Sequence, residues 1–172
     1  MWELIQSNKR KSIALIILLA LVLLALGYAI GFSMSSDAGP VGVVIALIIW
    51  IVMVFASVIG GEKILLASAG ARRLRKEDAP RLWNIVEEMQ IASGLPVMPE
   101  VYLIDQPAPN AFAVGLTPKR AAVAVTTGLL ARLNRDELQG VVAHEIGHIV
   151  NRDTLFMTLA GVTVGAVILM SE

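Results

Sequence analysis

The hydrophobic pattern of the chain begins with two long apolar runs. Residues 13–32 and 41–60 contain no charged side chain, and each run is long enough to cross a hydrocarbon core of about 30 Å as a helix. The link between them, residues 33–40, is rich in Ser, Gly and Pro, as expected of a turn between antiparallel helices. The pattern therefore predicts a membrane hairpin within residues 1–61.

A cleavable signal peptide is the alternative interpretation of the first run, but its apolar stretch is too long and a second run follows at once. Orientation follows from the basic residues, because cytoplasmic flanks of membrane helices carry the excess of Lys and Arg. The link holds only Asp37, whereas both outer flanks are basic: Lys9, Arg10, Lys11, Lys63, Arg72, Arg73, Arg75 and Lys76. We expect both ends of the hairpin to face the cytoplasm.

A third apolar run, residues 154–170, is at the short end for a span. It is either a third transmembrane helix, which we prefer, or a helix packed inside the cytosolic domain. The predicted organisation is thus a hairpin in residues 1–61, a cytosolic core in residues 62–153 and an apolar helix, incomplete, in residues 154–172. The basic segment 62–76 suits either an acidic lipid surface or a solvated helix end.

The cytosolic segment predicts an α+β fold with a short sheet. A helix is expected from Asp78 as N-cap to Gly94, with apolar positions facing a core. Strands are expected at residues 100–104, 111–115 and 121–126. A second helix is expected from Asn134 to about Val150, opened by a capping box with Glu137. The core positions expected on the first helix are Leu82, Val86 and Met89, with Trp83 at its edge.

The composition limits which partners and which metal ligands the chain can have. Apolar residues make up 56% of the chain and mean hydropathy is +0.74, which agrees with membrane segments. The net charge of zero gives no sign of a nucleic-acid partner. With no cysteine and only two histidines, a metal site has to use His, Asp, Glu or water.

Both histidines lie in one motif on the second predicted helix, His144-Glu145-Ile146-Gly147-His148. Histidines four residues apart share a helix face and can converge on one zinc ion. The adjacent carboxylate of Glu145 can reach a zinc-activated water and act as its general base in peptide hydrolysis. The motif predicts a zinc metalloprotease site with one Zn²⁺ per chain; a pair of metal-free histidines is the alternative.

The motif and its surroundings resemble the HtpX family of membrane zinc metalloproteases. The resemblance also rests on the two apolar runs, the stretch at residues 109–115, Thr127-Gly128-Leu129-Leu130, Asp136-Glu137-Leu138 and residues 142–149. It implies a zincin-like domain facing the cytoplasm from the inner membrane, with misfolded membrane proteins as substrates in stress-related quality control. It also implies that His144 and His148 bind zinc and that Glu145 is the general base.

The resemblance places Asn110, Ala111 and Phe112 on an edge strand where a substrate strand can add to the sheet; for Asn110 a simple turn residue is the alternative. Asp153 is expected either to hydrogen-bond a ligand imidazole, since family members often carry Asp here, or to cap the link to the next helix.

The chain departs from the family in its third zinc ligand, which in the family is a glutamate on a helix well beyond the further spans. Glu172 is the only acidic residue after Asp153, and its position at the end of an apolar run argues against this role. A C-terminally truncated family member is therefore expected. The functional alternatives are a membrane-bound zinc endopeptidase, a truncated and inactive membrane protein with a partial zinc site, or a zinc hydrolase of small amides.

Overall fold

The computed structural model describes residues 2–154 and Thr158, in which a long helical hairpin precedes a small α+β unit. Helix α1 spans Trp2–Met34 and helix α2 spans Gly39–Ser68. Both are long and apolar enough to cross a membrane, and they contain the predicted spans at 13–32 and 41–60. The predicted third apolar helix, at 154–170, lies outside the described residues except for Thr154 and Thr158.

The two hairpin helices pack through small residues. A methyl group at Gly27 of α1 would meet the carbonyl oxygen of Gly42 at 2.5 Å and the side chain of Ala46 at 2.6 Å. A methyl group at Gly31 or at Gly42 would likewise overlap backbone atoms of the opposite helix or of the link. Small residues are the usual means by which apolar helices approach closely in lipid. The hairpin geometry is therefore specified by glycines as well as by the short link.

Helix α2 does not end where the apolar run ends. Its backbone breaks at Gly60, which has φ −157° and ψ 29°, and the helix then continues to Ser68. Leu66 in this last part is buried against Ile104, Val114 and Ala122 of the sheet. The end of α2 thus forms part of the α+β unit.

The sheet has the strand order β1-β2-β4-β3, with β2 and β4 parallel and the other neighbours antiparallel. Its strands are β1 (Arg72–Arg73), β2 (Glu100–Ile104), β3 (Ala111–Val114) and β4 (Ala122–Thr126). The three predicted strands are confirmed to within one residue, whereas β1 was not predicted. A 3₁₀ turn, Pro118–Arg120, joins β3 to β4. The order places β3 at an edge of the sheet.

The other face of the sheet carries the main core, beneath helices α3 (Pro80–Ser93) and α5 (Arg135–Asn151). A short helix α4, Thr127–Arg132, links β4 to α5 and was not predicted. The predicted core positions are confirmed, with Leu82 and Val86 fully buried and Met89 and Trp83 partly buried. Ile85 was missed although it is fully buried. This core fixes α5 across the sheet, next to the β3 edge.

The predicted start of α3 was wrong. The helix begins at Pro80 with Ala79 in the N-cap position and no side-chain cap. The Asp78 carboxylate instead accepts a hydrogen bond from the backbone N–H of Arg75, at 2.8 Å, and closes the preceding turn. The predicted end of α3 is confirmed, because Gly94 adopts the left-handed conformation (φ 70°) typical of a helix C-terminus.

Candidate active site

Helix α5 brings the two histidines together. Its predicted capping box is confirmed: Asn134 Oδ1 accepts from the N–H of Glu137 at 3.0 Å, and the Glu137 carboxylate accepts from the N–H of Asn134 at 2.9 Å. This start fixes the register of the helix, so His144 and His148 lie one turn apart on the same face. Their Nε2 atoms are 3.1 Å apart. The side chains therefore converge on one point outside the helix.

This separation fits a shared metal ion. Two nitrogens bound tetrahedrally at 2.0–2.1 Å from one zinc lie about 3.3 Å apart, close to the 3.1 Å observed between the Nε2 atoms of His144 and His148. The ring planes meet at 84°, with the ring centroids 4.6 Å apart. A direct hydrogen bond between neutral imidazoles gives a similar distance. The separation of the two nitrogens is thus close to the one that a shared zinc ion needs.

The chain after α5 turns back onto His148. Arg152 has the left-handed φ of 58°, which ends α5 and reverses the backbone. Asp153 Oδ2 then lies 2.9 Å from His148 Nδ1. Since a carboxylate oxygen accepts, this contact places the proton of His148 on Nδ1 and leaves the lone pair of Nε2 free. Of the two sequence-based alternatives for Asp153, the structure shows the contact with an imidazole.

The edge strand β3 runs beside α5. Asn110, at its start, is bound to β4: its carbonyl accepts from the N–H of Thr126 at 3.0 Å and its N–H donates to Thr126 Oγ1 at 2.9 Å. Because hydrogen-bonded pairs alternate along an antiparallel ladder, Ala111 and Ala113 turn their N–H and C=O groups away from β4. These two residues form the open edge of the sheet.

A cavity of about 300 Å³ lies between this edge and α5, and it brings together most of the residues that the sequence singled out. Its lining is Ala111, Phe112, Ala113, Glu145, His148, Asp153 and Thr154. His144 lies at its exposed side, 3.1 Å from His148, whereas Asn110 is outside the lining. The arrangement is a cleft with a sheet edge on one wall and the motif on the other.

Glu145 lies on the helix wall of this cleft. Burial raises the pKa of its carboxyl group, while His148, His144 and a backbone hydrogen bond from Ala113 oppose the rise by favouring the charged form. The half-buried carboxylate is thus held between the motif histidines and the open edge of β3. A group in this position can accept a proton from a molecule bound in the cleft.

No third metal ligand joins the histidines within residues 2–154 and Thr158: no group of three His, Asp or Glu side chains there is arranged to hold a metal ion. Asp153 contacts the far side of the His148 ring and so does not complete the set. Glu172, considered from the sequence, lies outside the described residues.

Sequence reasoning missed the contribution of Ala113 and Thr154 to the cleft. Thr154 is buried and follows Asp153 directly, so its role in the wall depends on the turn at Arg152. Ala113 acts through its backbone, and no side-chain pattern signals this. The strand order would have pointed to Ala113, but that order cannot be read from one sequence.

Comparison with known proteins gives the class of the protein. Residues 76–171 match the family described as "Peptidase family M48". This range begins before α3 and includes the sheet strands β2–β4, α5 and the residues after it. The cleft with its two histidines and one glutamate is therefore part of a peptidase domain, and membership of this family implies a metal cofactor. The chain belongs to peptidase family M48.

Three of the similar curated proteins are each described as "Protease HtpX homolog". The protein from Thermoanaerobacter pseudethanolicus is 44% identical over 172 residues, 100% of this chain and 56% of the relative. Those from Streptococcus mutans and Streptococcus pneumoniae are 43% and 41% identical, over 98% and 99% of this chain and 56% of each relative. The chain thus spans just over half the length of these relatives, and the resemblance to the HtpX proteases found in the sequence is confirmed.

Proposed function

We propose that this chain is a membrane-bound, zinc-dependent endopeptidase of the HtpX type. His144 and His148 hold the zinc ion, and Glu145 is the general base. The observation that carries the proposal is the convergence of the two Nε2 atoms, 3.1 Å apart, at a cleft that Glu145 and an open sheet edge also line. When bound there, zinc supplies Lewis-acid activation of water and of a peptide carbonyl.

The polypeptide substrate binds as an added strand on β3. Ala111 and Ala113 turn backbone groups toward the cleft, where the N–H of Ala113 also faces the Glu145 carboxylate. An extended peptide alternates its backbone groups in the same way and can pair with this edge. Main-chain pairing of this kind holds a substrate regardless of its sequence, which suits a protease for unfolded or misfolded membrane proteins. Phe112, half-buried at the cleft wall, offers an apolar contact for a substrate side chain.

The protein's own side chains carry out the proton transfers of the reaction. The Glu145 carboxylate lies on the cleft wall opposite this strand, where it takes the proton from the attacking water and later returns it to the leaving amine. Asp153 holds the proton of His148 on Nδ1, so that Nε2 stays available as a ligand. The backbone N–H of Ala113 favours the charged form of the Glu145 carboxyl group and lowers its pKa, which suits a general base.

The competing function is a membrane protein with a partial metal site and no proteolysis. It is favoured by the lack of a third ligand near the histidines within the described part of the chain. A cleavage assay distinguishes the endopeptidase from the inactive membrane protein. The purified chain in detergent is given zinc, and its cleavage of an unfolded polypeptide is measured. The proposal predicts cleavage that Glu145→Gln abolishes and Glu77→Gln, an exposed control, preserves. Equal cleavage by both variants, or none by the wild type with zinc bound, would contradict it.

We further propose that α1 and α2 cross the cell's inner membrane with the α+β unit in the cytoplasm. The support is the length and apolarity of both helices and the basic residues on their outer flanks. The chain has no cysteine, so single cysteines can report accessibility. In intact cells whose outer membrane is absent or permeabilised, a membrane-impermeant maleimide is expected to label Ser36→Cys but not Ser93→Cys. The reverse pattern, or labelling of both, would contradict this topology.

A further inference from the structure

A second cavity lies away from the cleft, where the hairpin meets the sheet. Its volume is about 470 Å³, and it is bounded by the end of α2, the loop before β2 and the 3₁₀ turn before β4. The charged side chains of its lining are Glu62, Lys63, Arg73, Glu100, Lys119 and Arg120. It is separate from the histidine motif, since it shares no lining residue with the cleft.

The cavity carries an excess of positive charge. Arg73 is paired with Glu100 at 2.8 Å, and Arg120 with Glu62 at 2.6 Å. Lys63 and Lys119 both line the cavity and make no ion pair within the described residues. The lining therefore contains two lysines whose charge no carboxylate of the described residues balances.

The acidic groups of the cavity do not offset these lysines. Glu62 faces Arg120 with one oxygen, and its other oxygen is buried. Glu100 is shared between Arg73 and the hydroxyl of Tyr102, which donates to it at 2.9 Å. Burial and the neighbouring carboxylate raise the pKa of Tyr102, so the phenol stays neutral. An anion is the ligand that this charge pattern fits.

The position of the cavity indicates where the anion comes from. Ile59 belongs to the last turn of the apolar run, is 69% exposed and lines the cavity together with Lys63, across the break at Gly60. Phe55, one turn earlier, is also exposed. An apolar helix surface leading into a basic cavity at the end of a span has the chemistry of a phospholipid, with acyl chains along α2 and the phosphate at the lysines.

Hydrogen bonds from Arg120 join the two chain segments that carry the lysines of the cavity. The Arg120 guanidinium donates to the carbonyl oxygens of Val58 at 3.1 Å and Ile59 at 2.7 Å, next to the break at Gly60. This contact ties the turn that carries Lys119 to the helix that carries Lys63. The two lysines are therefore held on opposite walls of one cavity.

We propose that this cavity binds the phosphate of an anionic membrane phospholipid through Lys63 and Lys119. The inference rests on the membrane placement proposed above, which the maleimide experiment tests separately. A bound lipid there would fix the distance of the α+β unit from the membrane surface.

The test is native mass spectrometry of the full chain released from detergent, after delipidation and addition of phosphatidylglycerol, phosphatidylcholine or inorganic phosphate. The wild type is expected to retain one phosphatidylglycerol in preference to phosphatidylcholine. Lys63→Gln/Lys119→Gln is expected to weaken this binding about 30-fold. Each lysine near an anionic membrane surface contributes about 1 kcal/mol, which is about fivefold in affinity, and two such factors multiply. The control Lys76→Gln/Arg132→Gln removes the same charge from other exposed positions and is expected to bind as the wild type does.

A second variant tests the cavity rather than the charge. Val97 is 48% exposed and lines the cavity, so Val97→Trp fills it without changing any charge, and circular dichroism checks that the fold is kept. This variant is also expected to lose the lipid. Equal retention of the two lipids, equal binding by the two double variants, or undiminished binding by a folded Val97→Trp would each overturn the proposal. Displacement of the lipid by millimolar inorganic phosphate would assign the site to free phosphate and overturn it too.

Discussion

His148 Nδ1 lies 2.9 Å from Asp153 Oδ2, on the side of the ring opposite the nitrogen that faces His144. This contact is made by the first residues after α5, because Arg152 reverses the backbone there. A contact of this kind orients an imidazole and makes its other nitrogen a better metal ligand.

Replacement of Asp153 is therefore expected to weaken metal binding. Asp153→Ala should raise the dissociation constant for zinc about 10- to 100-fold, measured by competition with a chromogenic chelator. Asp136→Ala, at the exposed start of the same helix, serves as the control and should leave the constant unchanged. Equal affinity in the two variants would show that Asp153 does not act through His148.

The open edge of β3 predicts opposite effects of proline at neighbouring positions. The N–H of Phe112 pairs with β4, so Phe112→Pro should lower the free energy of unfolding by about 1–3 kcal/mol. The N–H of Ala111 faces the cleft, so Ala111→Pro should keep the thermal unfolding temperature and the bound zinc but reduce proteolysis about tenfold. Wild-type cleavage by a folded Ala111→Pro would argue against substrate pairing on this edge.

The glycines of the hairpin predict a contrast in stability. A methyl group at Gly42 would overlap the carbonyl oxygen of Gly27, and backbone atoms cannot move aside as a side chain can. Gly42→Ala should destabilise the hairpin by about 1–3 kcal/mol. Gly140→Ala, in the exposed part of α5 with open space around it, should instead stabilise by about 0.5–1 kcal/mol. Thermal unfolding in detergent checks both, and an unchanged midpoint for Gly42→Ala would contradict the packing.

The contact between Arg120 and the end of the apolar run predicts a ranking of variants. Arg120→Ala removes the hydrogen bonds to the Val58 and Ile59 carbonyls and leaves the buried Glu62 carboxylate without its ion-pair partner, so the free energy of unfolding should fall by about 1–3 kcal/mol. Glu62→Gln keeps the carbonyl contacts and should cost less. Arg120→Lys should restore little, because an ammonium group cannot reach three acceptors in the fixed fork of a guanidinium. Hydrogen exchange of the amides of residues 58–66 measures the local effect, and equal exchange in all three variants would contradict it.

Much of this fold could be predicted from local sequence signals. The apolar runs, the strand at residues 100–104 and the Asn134 capping box each depend on neighbouring residues, and each is confirmed. Asp78 was misplaced because a carboxylate that caps a turn and one that caps a helix look alike in sequence. The strand β1 was missed because two arginines show no strand pattern until β2 pairs with them.

In the candidate site, too, some residues are identified by local sequence signals and others only by the fold. The residues His144, Glu145 and His148 are recognised by spacing alone, since a helix converts a separation of four residues into proximity. The backbone of Ala113, the paired Arg120 and Glu62, and the cavity beside them depend on strand order and on the break at Gly60. Those relationships join residues distant in the chain, and a single sequence carries no signal for them.

The central claim is that His144 and His148 hold one metal ion. Zinc content of the purified chain, with the nitrogen ligands counted by X-ray absorption at the zinc edge, tests it most directly. The account predicts about one zinc per chain with two imidazole ligands, and loss of that zinc in His144→Ala and in His148→Ala with the fold retained. Zinc content that is the same in the wild type and in both alanine variants would contradict it.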